Sequence, residues 1–362
     1  MANLGAVATA LASTYGVSLT VVGLFTTALF VTHTAIQIPG GQAIDRFGAR
    51  RLAFAALLTI LAGSGFAMIA SDPGLALATR AFTGLGTGIG FIAGSEYVRA
   101  AGGSPFAQGM FGGFGVAGGG FALAVVPQFE RAVGWRAPFL LSVALAVIAL
   151  AALLVSPVPA AATRALSGAR TTALQVIGDH RLYRIAAMHT AAFGISVVAG
   201  NWVVTLLERH GYSTGLASAL GALTLGISVV SRPLGGWIMR HHPDRIRFAV
   251  GASLAAGAAA TAGLAASGPV ALAVVSSVTL GMAAGIPFAP AFAGAARTRP
   301  DAPGAAVGMI NMCGSLLIVA ATPLVGLTFS LPGMGRIGFL VLAALWGSAL
   351  LVLRSKRLLS GS

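Results

Sequence analysis

Apolar residues run along this chain in continuous blocks, each closed by a short cluster of Arg, Pro and turn residues, from one end to the other. The blocks carry no polar stripe, the pattern of a helix surrounded by other helices or by lipid rather than lying on a watered surface. A bilayer core about 30 Å thick needs roughly 17–25 such residues per helical crossing. Breaking the runs at charges, Pro and turn residues predicts helices over 18–41, 51–70, 74–98, 106–128, 136–155, 184–207, 214–239, 247–267, 269–295, 304–329 and 334–353. With a shorter first segment at 1–13 this is an all-α membrane protein of about twelve transmembrane helices. The first segment would rise only about 18 Å at about 1.5 Å per residue. The first helix is therefore expected to be incomplete, with the true start of translation upstream.

Composition narrows the class. Only 8% of the 362 residues are charged and 57% are hydrophobic, against about 25% charged in a soluble domain. Such a chain cannot cover a surface of this size for water, so the lipid bilayer is its first partner. The net charge of +14 would suit nucleic acid if the basic residues gathered on one face, but they do not. Sixteen of the 22 Lys and Arg fall in alternate connections and the C-terminus, four fall on the opposite side, and Arg80 and Arg232 lie inside helices. This asymmetry is the positive-inside pattern. It places the C-terminus and the Arg-containing connection 156–183 in the cytoplasm and gives no nucleic-acid partner. Met1 leads into an apolar stretch without a basic region, so no signal peptide is expected. Twenty-one Arg against the single Lys356, with abundant Ala and Gly, fit a GC-rich bacterial genome and hence a bacterial cytoplasmic (inner) membrane. The lone Cys313 permits no disulfide and no CxxC metal site, and reads as a small packing residue.

The connection 156–183 divides the chain into an N-terminal transmembrane half, 1–155, and a C-terminal half, 184–362, and the halves repeat. Pro39-Gly40-Gly41 is echoed by Leu234-Gly235-Gly236 at an offset of 195, and Gly88-Ile89-Gly90-Phe91 by Gly285-Ile286-Pro287-Phe288 at 197. Gly109-Met110 with Gly115 is echoed by Gly308-Met309 with Gly314 at 199. Equivalent helices share one orientation, so the repeat is parallel.

The most specific local signal is Gly40-Gly41-Gln42-Ala43-Ile44-Asp45-Arg46-Phe47-Gly48-Ala49-Arg50-Arg51. Two glycines allow close backbone approach at a helix end, and Asp45 with the following arginines makes a compact charge cluster at headgroup depth. The segment resembles the loop 2–3 motif of the major facilitator superfamily, G-x-x-x-D-R-x-G-x-R-R. The resemblance implies the major facilitator fold, two six-helix halves related by the parallel repeat, and a secondary transporter that needs no oligomer, so a monomer is expected. It also implies a gating role for Gly41, Asp45, Arg46, Gly48 and Arg50. Asp45 would latch the cytoplasmic side, facing the N-terminal dipole of the helix at 304–329. Arg80, followed by Gly84, Gly86 and Gly88, resembles the Arg-and-glycine motif of the same family and joins the gating set. The second copy, Gly235-Gly236-Trp237-Ile238-Met239-Arg240-His241, lacks the Asp.

Ionisable groups at membrane depth are functional candidates by default. Arg232 sits about two turns inside its helix, and a guanidinium there would attract an anion through fixed charge and a fork of donors. Its surroundings, Ser231-Arg232-Pro233-Leu234-Gly235-Gly236, resemble the nitrate/nitrite/cyanate-type porters, where an arginine before this Gly-Gly binds the anion. Those porters carry a second arginine where this chain has Gln37, which argues against nitrate itself. His33, His189, Asn201 and Asn311 complete the set of expected substrate-binding residues, each with the alternative of an ordinary interhelical hydrogen bond.

None of the acidic residues lies at mid-membrane, so proton coupling would have to use His33, His189 or Glu96; a coupling proton remains a candidate partner. A small-molecule substrate, most simply a small anion, is expected, with a drug or metabolite exporter as the alternative. A lipophilic cation would need a carboxylate that the helices do not supply. HExxH, GxSxG and paired membrane aspartates are missing, so no enzyme is expected. Gly113-Phe114-Gly115-Val116-Ala117-Gly118 matches GxGxxG but follows no strand, so no cofactor is expected either.

Overall fold

A computed structural model describes all residues except 1–3, 5–6, 159–170, 267, 334 and 355–362. Every regular element among them is helical. In chain order these are α1 (Ala8–Tyr15), α2 (Leu19–Ala35), α3 (Gln37–Phe47), α4 (Ala49–Met68), α5 (Pro73–Ala100), α6 (Pro105–Val133) and α7 (Ala137–Val155). They continue with α8 (Ala173–Ile177), α9 (His180–His189), α10 (Ser196–Arg209), α11 (Thr214–His241), α12 (Ile246–Ala265), α13 (Val270–Gly285), α14 (Phe288–Thr298), α15 (Pro303–Leu327) and α16 (Arg336–Ser348). Among the described residues nine helices are long and apolar enough to cross a membrane, or ten with α2 and α3 taken as one bent span. Residues 159–170 of the connection 156–183, including Arg164 and Arg170, lie outside the described residues, as do Lys356 and Arg357. Of the first segment, α1 is short, and residues before Leu4 are not described.

Several helices expected to be continuous are broken, each for a local reason. The 18–41 helix bends by 49° between Ala35 and Gln37. Pro39 has no N–H to offer the carbonyl of Ala35, four residues back, and its ring crowds that carbonyl. The 269–295 helix breaks at Ile286-Pro287 for the same reason. There the carbonyl that Pro287 leaves without a partner, that of Ala283, accepts the Ser253 hydroxyl at 2.9 Å. The 184–207 helix begins earlier, at His180, and carries a π-helical turn over Thr190–Ile195.

The described residues fall into two compact units. The first holds residues 1–102, 118–173 and 301–308; the second holds 103–117, 174–300 and 309–362. The units thus follow the sequence halves except at two places: the start of α6 belongs to the second unit and the start of α15 to the first.

Within the first unit α5 packs on α2 and α4, and α4 packs on α7. Within the second, α13 packs on α11 and α12, and α12 packs on α16. These are the same pairings one repeat apart. Lipid removes the hydrophobic drive between helices, so small residues and side-chain-to-backbone bonds hold such pairs. The Thr32 hydroxyl donates to Ala81 O at 2.6 Å across α2–α5, and Thr224 and Ser231 donate to Ser277 O and Gly281 O across α11–α13.

Candidate functional site

The second unit gathers three of the expected polar residues. Arg232 on α11, His189 at the end of α9 and Asn311 on α15 are each at most 4% exposed. Arg232 does not snorkel: its Nη1 donates to Gly112 O on α6 at 2.7 Å, and its guanidinium lies over the Phe288 ring at 4.7 Å. Phe288 stacks on Phe292 at 4.4 Å between ring centres. The His189 ring meets Phe292 at 5.2 Å, Phe288 at 6.2 Å and Phe193 at 5.3 Å, and its Nε2 lies 3.4 Å from Asn311 Oδ1. An imidazole and a guanidinium therefore flank one phenylalanine pair, with the Asn311 amide on the imidazole.

Among the described residues Arg232 forms no ion pair, and Arg232 Nε, His189 Nδ1 and Asn311 Nδ2 have no hydrogen-bond partner. Burying such groups unpaired is costly. With Nε2–H of His189 donating to Asn311 Oδ1, its Nδ1 is left as an acceptor. The arrangement therefore suits a guest with one negative charge and acceptor oxygens for Arg232 and Asn311, and a donor for His189 Nδ1. The helix geometry serves it: His189 ends α9 where the π-helical turn begins, a distortion frequent at functional sites. Gly314 on α15 lets Phe193 approach, for a Cβ there would stand 2.8 Å from Cδ1 of that ring. Asn201 does not join the cluster. It is exposed, and its Nδ2 lies 3.5 Å from Thr322 Oγ1.

The other expected substrate contacts form a separate group in the first unit. His33 Nδ1 lies 3.1 Å from Thr87 Oγ1, and Gln37 Nε2 lies 2.8 Å from His33 Nε2. Thr87 spends its own proton on Gly84 O at 3.0 Å. The network therefore runs one way: Gln37 N–H donates to Nε2, and Nδ1–H of a neutral His33 donates to Thr87. Gln37 is fully buried, and its Oε1 has no partner among the described residues.

The Gly41–Arg51 segment forms α3, a turn at Gly48 and the start of α4. Gly48 has φ 87°, a left-handed backbone that disfavours any side chain. Asp45 Oδ1 accepts the Gly304 N–H at 2.8 Å and Oδ2 accepts the Ala305 N–H at 3.0 Å. Ala302 precedes α15 and Pro303 opens it, so neither a capping side chain nor a first N–H is available locally, and Asp45 caps this helix from α3. Bare glycines make room: a Cβ on Gly304 would fall 2.8 Å from Gly41 O, and one on Gly41 would fall 2.6 Å from Ala305 Cα.

The expected ion-pair cluster around Asp45 is a correction. None of Arg46, Arg50 and Arg51 pairs with it among the described residues. The carboxylate is occupied by backbone N–H groups, and Arg46 and Arg50 find other partners. Arg50 donates to Ser156 O at 3.1 Å and Leu154 O at 3.4 Å, closing the C-terminal end of α7. Arg46 lies over the Phe47 ring at 5.0 Å. Glu96 is bound by Arg99 at 2.6 Å. Arg80 is buried beside Phe139 at 5.9 Å; sixteen residues of α5, about 24 Å of helix, separate it from Glu96, so it is not part of the Asp45 group.

The second unit holds the repeat of this crossing. Gly236 meets the start of α6, where its Cβ would fall 2.8 Å from Phe106 Cα, and Gly109 would meet Pro233 Cα at 2.7 Å. The residue one repeat from Asp45 is Arg240, and α6 is capped instead by its own Ser104, whose Oγ accepts the Ala107 N–H at 3.3 Å.

A family model described as Major Facilitator Superfamily matches residues 1–322. The chain belongs to that superfamily. Membership makes it a multi-pass membrane transporter and not an enzyme. Among solved structures, two of the E. coli fucose:proton symporter FucP superpose with a TM-score of 0.70, covering 97% of this chain and 95% of FucP. They are 17% and 16% identical, and the second is described as outward in conformation. The human organic anion transporter MFSD10 (TETRAN) gives 0.70 at 16% identity, covering 96% of this chain and 88% of that one. No curated protein sequence matches the chain. At these identities the likeness shows the major facilitator fold.

Sequence reasoning missed Phe193, Phe292 and Thr87. Phe288 and Phe292 stand four apart just after Pro287, a spacing that puts two rings on one helix face beside a break. The π-helical turn left no sequence mark that separates it from ordinary helix.

Proposed function

We propose that this chain is a secondary transporter that carries a small monovalent anion by alternating access, with Arg232, His189 and Asn311 as its recognition site. The observation that carries the reading is a buried arginine without an acidic partner among the described residues, near an imidazole nitrogen and an amide nitrogen that likewise have none there. A fixed guanidinium inside a membrane protein is stabilised by a counter-charge. With none of the described residues supplying it, a substrate carboxylate or other oxyanion does. The aromatic pair sets a flat wall, and one net positive charge selects a single negative charge. The fold itself does not choose the cargo, since a fucose:proton symporter and an organic anion transporter share it.

The halves 1–155 and 184–362 then act about the connection 156–183 as the two moving bodies. Asp45 on the Gly304 and Ala305 amides is the latch of one state, with Gly41 giving room for the contact and Gly48 turning the chain after it. Among the described residues Arg46 and Arg50 flank it without pairing, and Arg80 stands apart from it. The positive-inside pattern supports a latch and a C-terminus on the cytoplasmic face, the Arg-rich, Lys-poor composition supports a bacterial inner membrane, and a monomer suffices.

The test is thermal unfolding of the purified protein with nitrate, nitrite, cyanate, acetate and two lipophilic cations, for the wild type and Arg232→Gln. One anion should raise Tm in the wild type only, as binding to the folded state requires. Stabilisation by cations alone, or by anions equally in both proteins, refutes the site and favours the exporter reading.

A further inference from the structure

We infer that His33 and Gln37 form a proton-binding site, in which the Gln37 carboxamide reverses when the imidazole becomes charged. The inference rests on the transporter reading, for which it names the coupling ligand. Three observations carry it. The pair straddles the 49° bend, His33 being one turn before it and Gln37 directly after. Gln37 is 0% exposed, yet its Oε1 accepts nothing among the described residues. The atom of His33 that would take the proton, Nε2, is the one that faces Gln37, at 2.8 Å.

The chemistry balances without another reactant. In the neutral form Gln37 Nε2–H donates to the lone pair of His33 Nε2, while Nδ1–H donates to Thr87 Oγ1. A solvent proton adding to Nε2 turns that atom into a donor and ends its hydrogen bond from Gln37. A half-turn of the carboxamide then places Oε1, the orphan acceptor, against the new N–H. Both ring N–H groups are satisfied in the charged form, and Thr87 keeps its bond to Gly84 O. A carboxamide is suited to this because its two ends are opposite in hydrogen-bonding sense and alike in shape. The exchange takes place across the bend, so the charge state of His33 acts on the joint between α2 and α3.

Surrounding charges leave the site free to work. On α2 His33 is the sole titratable group. On α5 the flanking groups are Arg80, seven residues before Thr87, and Glu96, Tyr97 and Arg99, nine or more after it, about 10 Å and 13 Å of helix away. Asp45 and Arg46 lie at the far end of α3, Arg50 and Arg51 on the first turn of α4, and Tyr15 on α1. The α15 residues Pro303–Gly308 carry no titratable side chain. Apart from His33, the one deeply buried imidazole among the candidates is His189, which shares the Phe288 ring with the guanidinium of Arg232. A second positive charge there is repelled, so His33 is the better proton acceptor.

The experiment is a nitrogen-15 NMR titration of histidine-labelled full-length protein in nanodiscs from pH 8 to pH 4, for the wild type, Gln37→Met, Gln37→Glu and His33→Gln. The signal missing in His33→Gln identifies His33. It should begin as the Nδ1–H tautomer and become imidazolium within that range. Gln37→Met, which keeps the volume but has no acceptor, should lower its proton affinity at least tenfold, and Gln37→Glu should raise it. A His33 that stays neutral to pH 4, or a midpoint unchanged in Gln37→Met while the other histidine signals stay in place, overturns the inference. This readout is proton binding and not transport. Its failure leaves the anion site untouched, and failure of the anion panel leaves the titration standing.

Discussion

Replacing Asp45 with Asn isolates the cap on α15, because the side chain keeps its size and loses its charge and one acceptor. Wild-type Asp45 makes two charge-assisted bonds, at 2.8 and 3.0 Å, to the amides of Gly304 and Ala305. Hydrogen bonds to charged groups contribute about 1.5–3 kcal/mol each, and neutral ones about 0.5–1.5 kcal/mol. Asn can serve one of the two amides, and its NH2 end repels the other. The lost helix-dipole interaction adds about 0.3–1 kcal/mol. Asp45 is half-buried, so water replaces part of the loss, and a net cost of about 1–2 kcal/mol remains for the local closed state. Since 1.4 kcal/mol is about tenfold in an equilibrium, the Gly304 and Ala305 amides should exchange with deuterium roughly 5–30 times faster. Hydrogen-exchange mass spectrometry of the α15 peptide measures this directly. The first turn of α6, capped by Ser104, is the internal control and should not change. If the α15 amides exchange within twofold of wild type, Asp45 does not hold them; if both helix starts accelerate together, the variant has loosened the whole protein instead.

Three further outcomes follow from single contacts in the structure. Gly41→Ala should cost about 1–3 kcal/mol by overpacking against the α15 backbone, whereas Gly23→Ala, with nothing within 4 Å of the new methyl, should be neutral or slightly stabilising; thermal midpoints of the two variants separate steric from propensity effects. Ser253→Ala strands the Ala283 carbonyl that Pro287 already deprives of its helical partner, and a loss of about 0.6–1.5 kcal/mol is expected, visible as a lowered Tm that Ser276→Ala, if run beside it, need not share. Asp179 caps α9, and its bonds to Arg181, with the charge of Arg299 adding, hold its carboxyl below the ordinary 3.8. Its stabilisation is full above that value and is lost as pH falls below it through the lowered folded-state value, so the acid-side fall in Tm between pH 5 and pH 3 (about the range set by the ordinary carboxyl value) should flatten in Asp179→Asn.

Much of the architecture could be read from residue pattern because lipid imposes it. A helix in hydrocarbon must be long and apolar, so its presence shows in any stretch of sequence, and the ends of α4, α5, α7, α11 and α12 fall within a few residues of expectation. Breaks were harder. Pro39 and Pro287 were visible, but a proline in a membrane helix bends or merely dents it according to which neighbour takes over the freed carbonyl, and Ser253 is thirty residues from Ala283. Asp45 was legible because its spacing from the glycines and arginines is tight. The destination of Arg50 was not, since the carbonyls it caps lie over a hundred residues away. Arg232 could be placed at membrane depth by counting, but whether it reaches lipid headgroups or a phenylalanine ring depends on α6 and α14, which pattern alone does not bring together. Asn201 shows the converse: a polar residue in an apolar run that reaches Thr322 on α15 and stays outside the Arg232 cluster.

The cap that Asp45 lends to α15 has a consequence for biosynthesis. α2, α5 and α11 each carry their own cap, in Ser18, Asp72 and Ser213, and can complete their first turns as they leave the ribosome. α15 cannot, because its cap was made some 260 residues earlier. Its first turn forms only after α3 has been held in waiting through the insertion of every helix between them. Failure at this step would leave a nascent chain with one unfinished helix start at the membrane surface, a defect that quality-control proteases could sense before the last helix had entered the bilayer.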